Sequence, residues 1–227
     1  MRELKAALFR HGIRRAVVSH IMSVRYDAAA GNQALVDALR GEVSLFGAAT
    51  LVPEMAEAEP WLSSLPRLIA GRVRLVRLFP RSHNFSLAAA DLGPLFEARE
   101  ALRVPLILWH TEATWEEVAG LCGRYHQLQV VVEGTGRKLF YDNRIYYSHL
   151  ERCPHLYLET HNLTNYLGLD ELVRRFGSRR FLFGSFLPHQ DPNSAAMPIA
   201  EGDMAEEDQR NVAGANLERL IGEVQLA

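Results

Sequence analysis

Apolar residues gather along this chain in seven short, nearly continuous runs: RAVVSH (15–20), VSLFGAATLV (43–52), VRLVRLF (73–79), PLILWH (105–110), LQVVVEG (128–134), HLYLET (155–160) and RFLFGS (180–185). Runs of this kind, without strict alternation, predict parallel strands buried on both faces. Each is followed by a segment whose apolar positions recur every three or four residues, as in NQALVDALRG (32–41), DLGPLFEAREALR (91–103), TWEEVAGLCGRYH (114–126) and LDELVRRFG (169–177). That period predicts helices with one buried stripe, and the glycines near their ends supply stop signals. The chain therefore reads as a βα unit repeated seven times.

Repeated βα units build either a closed barrel or an open doubly wound sheet. An open sheet that binds a dinucleotide carries a glycine-rich turn after its first strand, and SHIMSVRYDAAAGN (19–32) has no such turn. The fold class expected is an α/β, TIM-barrel-like (β/α) barrel, one domain over residues 1–227. It is incomplete at the N-terminus, because the chain opens with a helical segment, RELKAALFRHG (2–12), which Gly12 can end. The tail supplies a last helix. Asp203 precedes Glu206 at capping-box spacing, and Met204, Val212, Leu217 and Ile221 can pack back on the barrel.

Seven strands in an eight-strand layout leave the first and last strands with unpaired edges. Three remedies suggest themselves: direct pairing of RAVVSH with RFLFGS, cover from residues 1–12, or a second chain. Self-association is the expected one, giving a homo-oligomer and, by the commonest symmetry, a dimer.

Charge narrows the partners. With 25 basic and 27 acidic residues in 227, the net charge of −2 gives no footprint for nucleic acid or a membrane surface. Arg14-Arg15, Arg174-Arg175 and Arg179-Arg180 are short pairs at a solvated rim. MRELKAALFR is too charged for a signal peptide, and Cys122 and Cys153 lack metal spacing, so reduced thiols and a cytoplasmic location are expected.

The last strand reading LFGS, a proline-containing loop and then NVAGANLERLIG form an ordered pattern. With GIRRAVVSH, GRVRLVRLFP, VPLILWH, ERCPHLYLETH and LDELVRRFGSRRFLFGS, it resembles the amidohydrolase-related (amidohydrolase 2) TIM-barrel proteins over nearly the whole chain. The resemblance implies strands two to eight of that barrel and a metal-dependent hydrolase or decarboxylase. The family's metal is held by a His-x-His pair on strand one, histidines on strands five and six, and an aspartate after strand eight. Here strand one is missing, His110 holds the fifth position, Glu133 stands at the sixth, and Phe186 replaces the aspartate. A start placed too late would omit strand one, yet a restored pair would still face Phe186. A catalytic zinc needs about three protein ligands, and Phe186 removes a ligand and a base together. No cofactor is expected; were zinc or manganese bound, His110 and Glu133 are the candidate ligands.

Of the nine histidines, His20, His110 and His161 lie at predicted strand ends and His83 and His189 in the loops that follow, on the face where barrel sites form. His11, His126, His149 and His155 belong to helices or the opposite rim. His110-Thr111-Glu112 and Glu159-Thr160-His161 place a carboxylate two residues from an imidazole, and strand alternation sends both to one side. Each pair is a carboxylate-oriented histidine, a partial metal site or a local rim salt bridge. His110, Glu133, His161 and Glu159 are thus the catalytic candidates. His20, Arg77, Arg81, His83, Trp109, Phe186 and His189 are the ligand-binding ones, the arginines as a clamp for a small anion or as ion-pair partners of Glu112 or Glu133. Trp109, Tyr26, Phe85 and Phe186 could form an apolar wall. The function expected is a hydrolase-like enzyme with a degenerate metal site, acting on a small polar or carboxylated molecule. The alternative is a non-catalytic binding protein on the same scaffold.

Overall fold

In a computed structural model, which describes residues 1–53, 61–88, 92–134, 143–163 and 165–225, the seven apolar runs form seven parallel strands in sequential order. They are β1 (Ala16–Val18), β2 (Leu45–Thr50), β3 (Val73–Leu78), β4 (Leu106–Trp109), β5 (Val130–Glu133), β6 (Leu156–Glu159) and β7 (Phe181–Leu182). Helices α1 (Arg2–Arg10), α2 (Ile21–Arg25), α3 (Ala28–Leu39), α4 (Trp61–Ala70), α5 (Gly93–Leu102), α6 (Trp115–Arg124), α7 (Asn143–Arg152) and α8 (Gly168–Phe176) alternate with them. The sheet is a curled, incomplete TIM barrel. Asp91, the first residue of one expected helix, lies outside the described residues.

Alternation along the strands separates two cores. Leu45, Val76, Leu106, Val130, Leu156 and Phe181 point outward into the large cluster beneath the helices. Ala48, Leu75, Ile107, Val131, Tyr157 and Leu182 point inward and form a second cluster with Leu220 and Ile221. Those last two belong to α11 (Asn216–Gly222), the final segment of a tail that also contains α9 (Asn193–Ala200) and α10 (Glu206–Arg210). The concave face is therefore filled by the chain's own last helix, each buried aliphatic contributing about 1.5–3 kcal/mol.

The β7 edge is closed by the same tail. Phe183 N–H donates to the Val212 carbonyl at 2.9 Å. Asn216 Nδ2 donates to the carbonyls of Phe181 and Ser178, each at 2.9 Å. Arg15, just before β1, reaches Glu218 of α11 at 2.9 Å, so the tail bridges both ends of the sheet. Of the expected remedies, direct pairing of the two end strands is absent from the sheet order, and within the chain the cover over β7 comes from the C-terminal tail rather than from residues 1–12.

The expected capping box at Asp203 and Glu206 does not form. Ala205 is the N-cap of α10, and Asp203 N–H donates instead to the Asp170 carboxylate. A capping box stands at α6, where Thr114 and Glu117 bond reciprocally. Among the described residues no helix is long and apolar enough to cross a membrane.

Candidate active site at the barrel mouth

One step beyond the inner apolar layer, the inward positions of the strands turn polar: Thr50, Arg77, Glu133 and Glu159, with Trp109 between them and Gly184 after β7. The β2 end is fixed from α3, because the Asn32 amide donates to the Thr50 carbonyl at 2.7 Å and accepts from its N–H at 3.0 Å. Arg77 reaches across β4 and grips Glu133 with both terminal nitrogens, the Nη2–Oε2 bond being 3.1 Å. The side chains are 18% and 7% exposed, so this is a nearly dry, bidentate pair. Glu133 is the last residue of β5.

Next to it, Glu159 receives two bonds from its own turn. His161 N–H donates to Oε1 at 3.0 Å, and His161 Nδ1 bonds Oε2. The sequence places the two residues at i and i+2, and β6 ends between them, so the chain folds back onto the carboxylate. The imidazole is 2% exposed and stacks on Phe186, with centroids 4.5 Å apart and planes 15° apart. Phe186 holds φ at +48°, a left-handed conformation that costs about 1–2 kcal/mol for a residue with a side chain. Gln190 Nε2 donates to the His161 carbonyl at 3.0 Å and braces the turn.

Burial is the main cause that pushes the Glu159 carboxyl above its ordinary value; the charge of Glu133 adds to it and the His161 bond opposes it. Burial alone would lower His161. The hydrogen bond and charge of Glu159, then the charge of Glu133, outweigh it and carry the imidazole above its ordinary value, with Arg77 opposing. Both raised values mean that the folded pair holds its protons more tightly than the unfolded chain does, so this pair's contribution to stability falls as pH rises. His149 and His155, both lowered first by burial, act in the opposite sense. The expected result is that wild type minus Glu159→Gln stability declines between about pH 5 and about pH 8 in urea titrations. A difference that stays level would contradict the raised values of the pair.

No protein-family model matches the chain. No curated protein matches it either. Solved structures do. An uncharacterised TIM-barrel protein from Bordetella bronchiseptica superposes with a TM-score of 0.76 at 17% identity, covering 99% of this chain and 83% of that one. A dihydroxybenzoic acid decarboxylase from Polaromonas, solved with manganese and 2-nitroresorcinol, gives 0.72 at 18% identity, covering 97% and 85%. An amidohydrolase II gives 0.70 at 13% identity, covering 97% and 88%. The fold is that of the amidohydrolase-related TIM barrels.

An amidohydrolase-type mouth that held manganese would need open carboxylate and imidazole donors. In this barrel Glu133 is bound by Arg77, whose fixed positive charge already faces the carboxylate, and Glu159 is bound by His161. Among the described residues no group of three His, Cys, Asp or Glu could hold a metal ion. These residues do not fit the metal.

The remaining candidates divide. His110 is buried beside Glu133, its N–H on the Glu133 carbonyl at 2.8 Å. It does not pair with Glu112, which instead accepts from Ser82 N–H at 2.9 Å and Ser82 Oγ at 2.5 Å. Arg77, of the two arginines, is the one that makes the ion pair; Arg81 donates to the Thr111 carbonyl at 2.8 Å. Trp109 lies edge-on to Phe79 at 4.8 Å. His189 tilts against Phe186 at 5.3 Å, so the loop after β7 does reach the mouth. His83 bonds the Val24 carbonyl at 2.8 Å, and His20 caps α2, accepting from Met22 N–H at 3.3 Å; both serve the rim structurally. Tyr26, 84% exposed, forms no wall, and Phe85 packs against the outer core. Sequence reasoning missed Ser82 and Gln190, which carry no motif.

Proposed function

We propose that this barrel is a metal-independent enzyme that binds a small carboxylated molecule at the mouth, with the His161–Glu159 pair as its proton donor. The observation that carries the reading is a pair of buried donors without acceptors on neighbouring strands, Arg77 Nε and Trp109 Nε1. Neither atom can accept a hydrogen bond, so an acceptor-rich carboxylate is the ligand that satisfies both. The dihydroxybenzoic acid and 5-carboxyvanillate decarboxylases among the similar structures support a carboxylated aromatic. An imidazole whose pKa is raised suits an acid better than a base. Loss of carbon dioxide needs such an acid: the carbon–carboxyl bond breaks, its electrons stay on the ring carbon, and a proton from His161 takes the vacated position. Hydrolysis would need an activated water instead.

The burial of His161 beneath Phe186 favours a second reading, a binding protein that performs no turnover. Calorimetry with 2,6-dihydroxybenzoate on chelator-treated protein tests both. Binding is expected, weakened roughly tenfold or more in Trp109→Phe, which removes the donor and keeps an aromatic ring. Equal affinity in wild type and variant, or affinity that vanishes with the metal, sinks the proposal. Binding without product over hours selects the second reading.

The β1 edge, paired with β2 alone in the sheet order, keeps self-association as part of the proposal. Light scattering near twice 25.6 kDa is expected, and a monomer at micromolar concentration would remove it.

A further inference from the structure

At the end of the barrel opposite the mouth, two adjoining cavities of about 310 Å³ and 400 Å³ share His126, Pro154 and His155. The first enters beneath the strands, where Arg103, Gln129 and Tyr157 line it, and the second runs outward between α6 and α7. Two polar atoms among the lining residues are buried and have no partner, Gln129 Oε1 and His155 Nε2. They precede β5 and β6, adjacent strands, and Val130 N–H bonds the His155 carbonyl at 3.0 Å, which fixes the two residues side by side.

Chemistry sets what these atoms need. Burial foremost lowers the His155 pKa, the Cys122 backbone opposes this, and the charges of His126 and Arg180 add to it. A neutral imidazole carries one N–H, and with that proton on Nδ1 the unpartnered Nε2 presents a lone pair. Gln129 Oε1 presents another. Two acceptors side by side call for a ligand with hydroxyl or N–H donors, since a buried acceptor left unpaired is costly. Around them stand the cations Arg103 and Arg152, with His126 between. The nearby Glu100 carboxylate is already engaged by Gln127 N–H at 2.6 Å. A soft metal is disfavoured, because burial first and then the neighbouring Cys153 push the Cys122 thiol up, away from the thiolate form that binds metal.

We propose that this rim is a second binding site, separate from the mouth, for a small hydroxylated carboxylic acid. Its hydroxyl donates to His155 Nε2 or Gln129 Oε1, and its carboxylates face Arg103 and Arg152.

Citrate is the probe, titrated calorimetrically into full-length wild type, Gln129→Leu, His155→Phe and Trp109→Phe. Citrate is expected to bind wild type and Trp109→Phe alike, and each rim variant roughly tenfold more weakly, as one lost hydrogen bond gives. Saturation with 2,6-dihydroxybenzoate should leave citrate affinity unchanged. No heat of binding to wild type, equal affinity in the rim variants, or a loss confined to Trp109→Phe would overturn the assignment. Gln129→Leu, a smaller change at a half-buried position, carries the test alone if His155→Phe does not fold. Because the mouth variant is scored in the same series, failure here is distinct from failure of the proposed function.

Discussion

Replacing Arg77 by methionine is expected to remove about 3–5 kcal/mol of stability, because it leaves Glu133 as a buried charge without its partner. The pair is nearly dry and bidentate, so little solvent can take the place of the guanidinium. Adding Glu133→Leu to Arg77→Met should restore most of the loss, since an apolar pair of similar volume replaces a buried ion pair at little net cost. Urea titration of the two variants checks both halves. A single variant within about 1 kcal/mol of wild type would mean that Glu133 finds water or another donor, and that the mouth is wetter than the geometry says.

The second large effect is expected at Gly184. A Cβ there would stand 1.2 Å from Glu159 Oε1 and 2.1 Å from its carboxyl carbon, so Gly184→Ala must expel the carboxylate. Glu159 is a flexible side chain and can swing away, but it would forfeit both bonds to His161 in a buried setting, a loss of about 2–4 kcal/mol. The imidazole, without the partner that raises it, should then titrate lower. Nuclear magnetic resonance of the His161 ring reads this directly. A Gly184→Ala protein that keeps a raised His161 value would show that the close approach does not exist.

The strands and the barrel were legible because burial on both faces forces continuous apolar runs, a signal that survives any loop. The Glu159–His161 pair was legible for a related reason, since alternation puts i and i+2 on one side. His110–Glu112 has the same spacing and does not pair, because Ser82 comes from the preceding unit and satisfies Glu112 with two donors. RFLFGS was read as a full strand, yet β7 stops after two residues because Phe183 N–H turns to Val212. Partners set by the path of a distant segment leave no local trace. Asn216 is the clearest case, being an ordinary polar residue in a helical stretch until its amide is seen across the β7 edge.

That edge has a consequence for how the protein is made. Among the described residues, the groups that cover the free edge of β7 and fill the concave face beside it lie downstream in the chain, Val212 and Asn216 at the edge and Leu220 and Ile221 inside the concave face. During synthesis, all seven strands leave the ribosome before the helix that fills them does. The nascent barrel therefore waits with a bare strand edge and an exposed apolar lining, the two features that recruit chaperones and wrong partners. Completion of this fold waits for residues 212–221, and that stretch decides whether the strands made before it keep their edge and their lining from wrong partners.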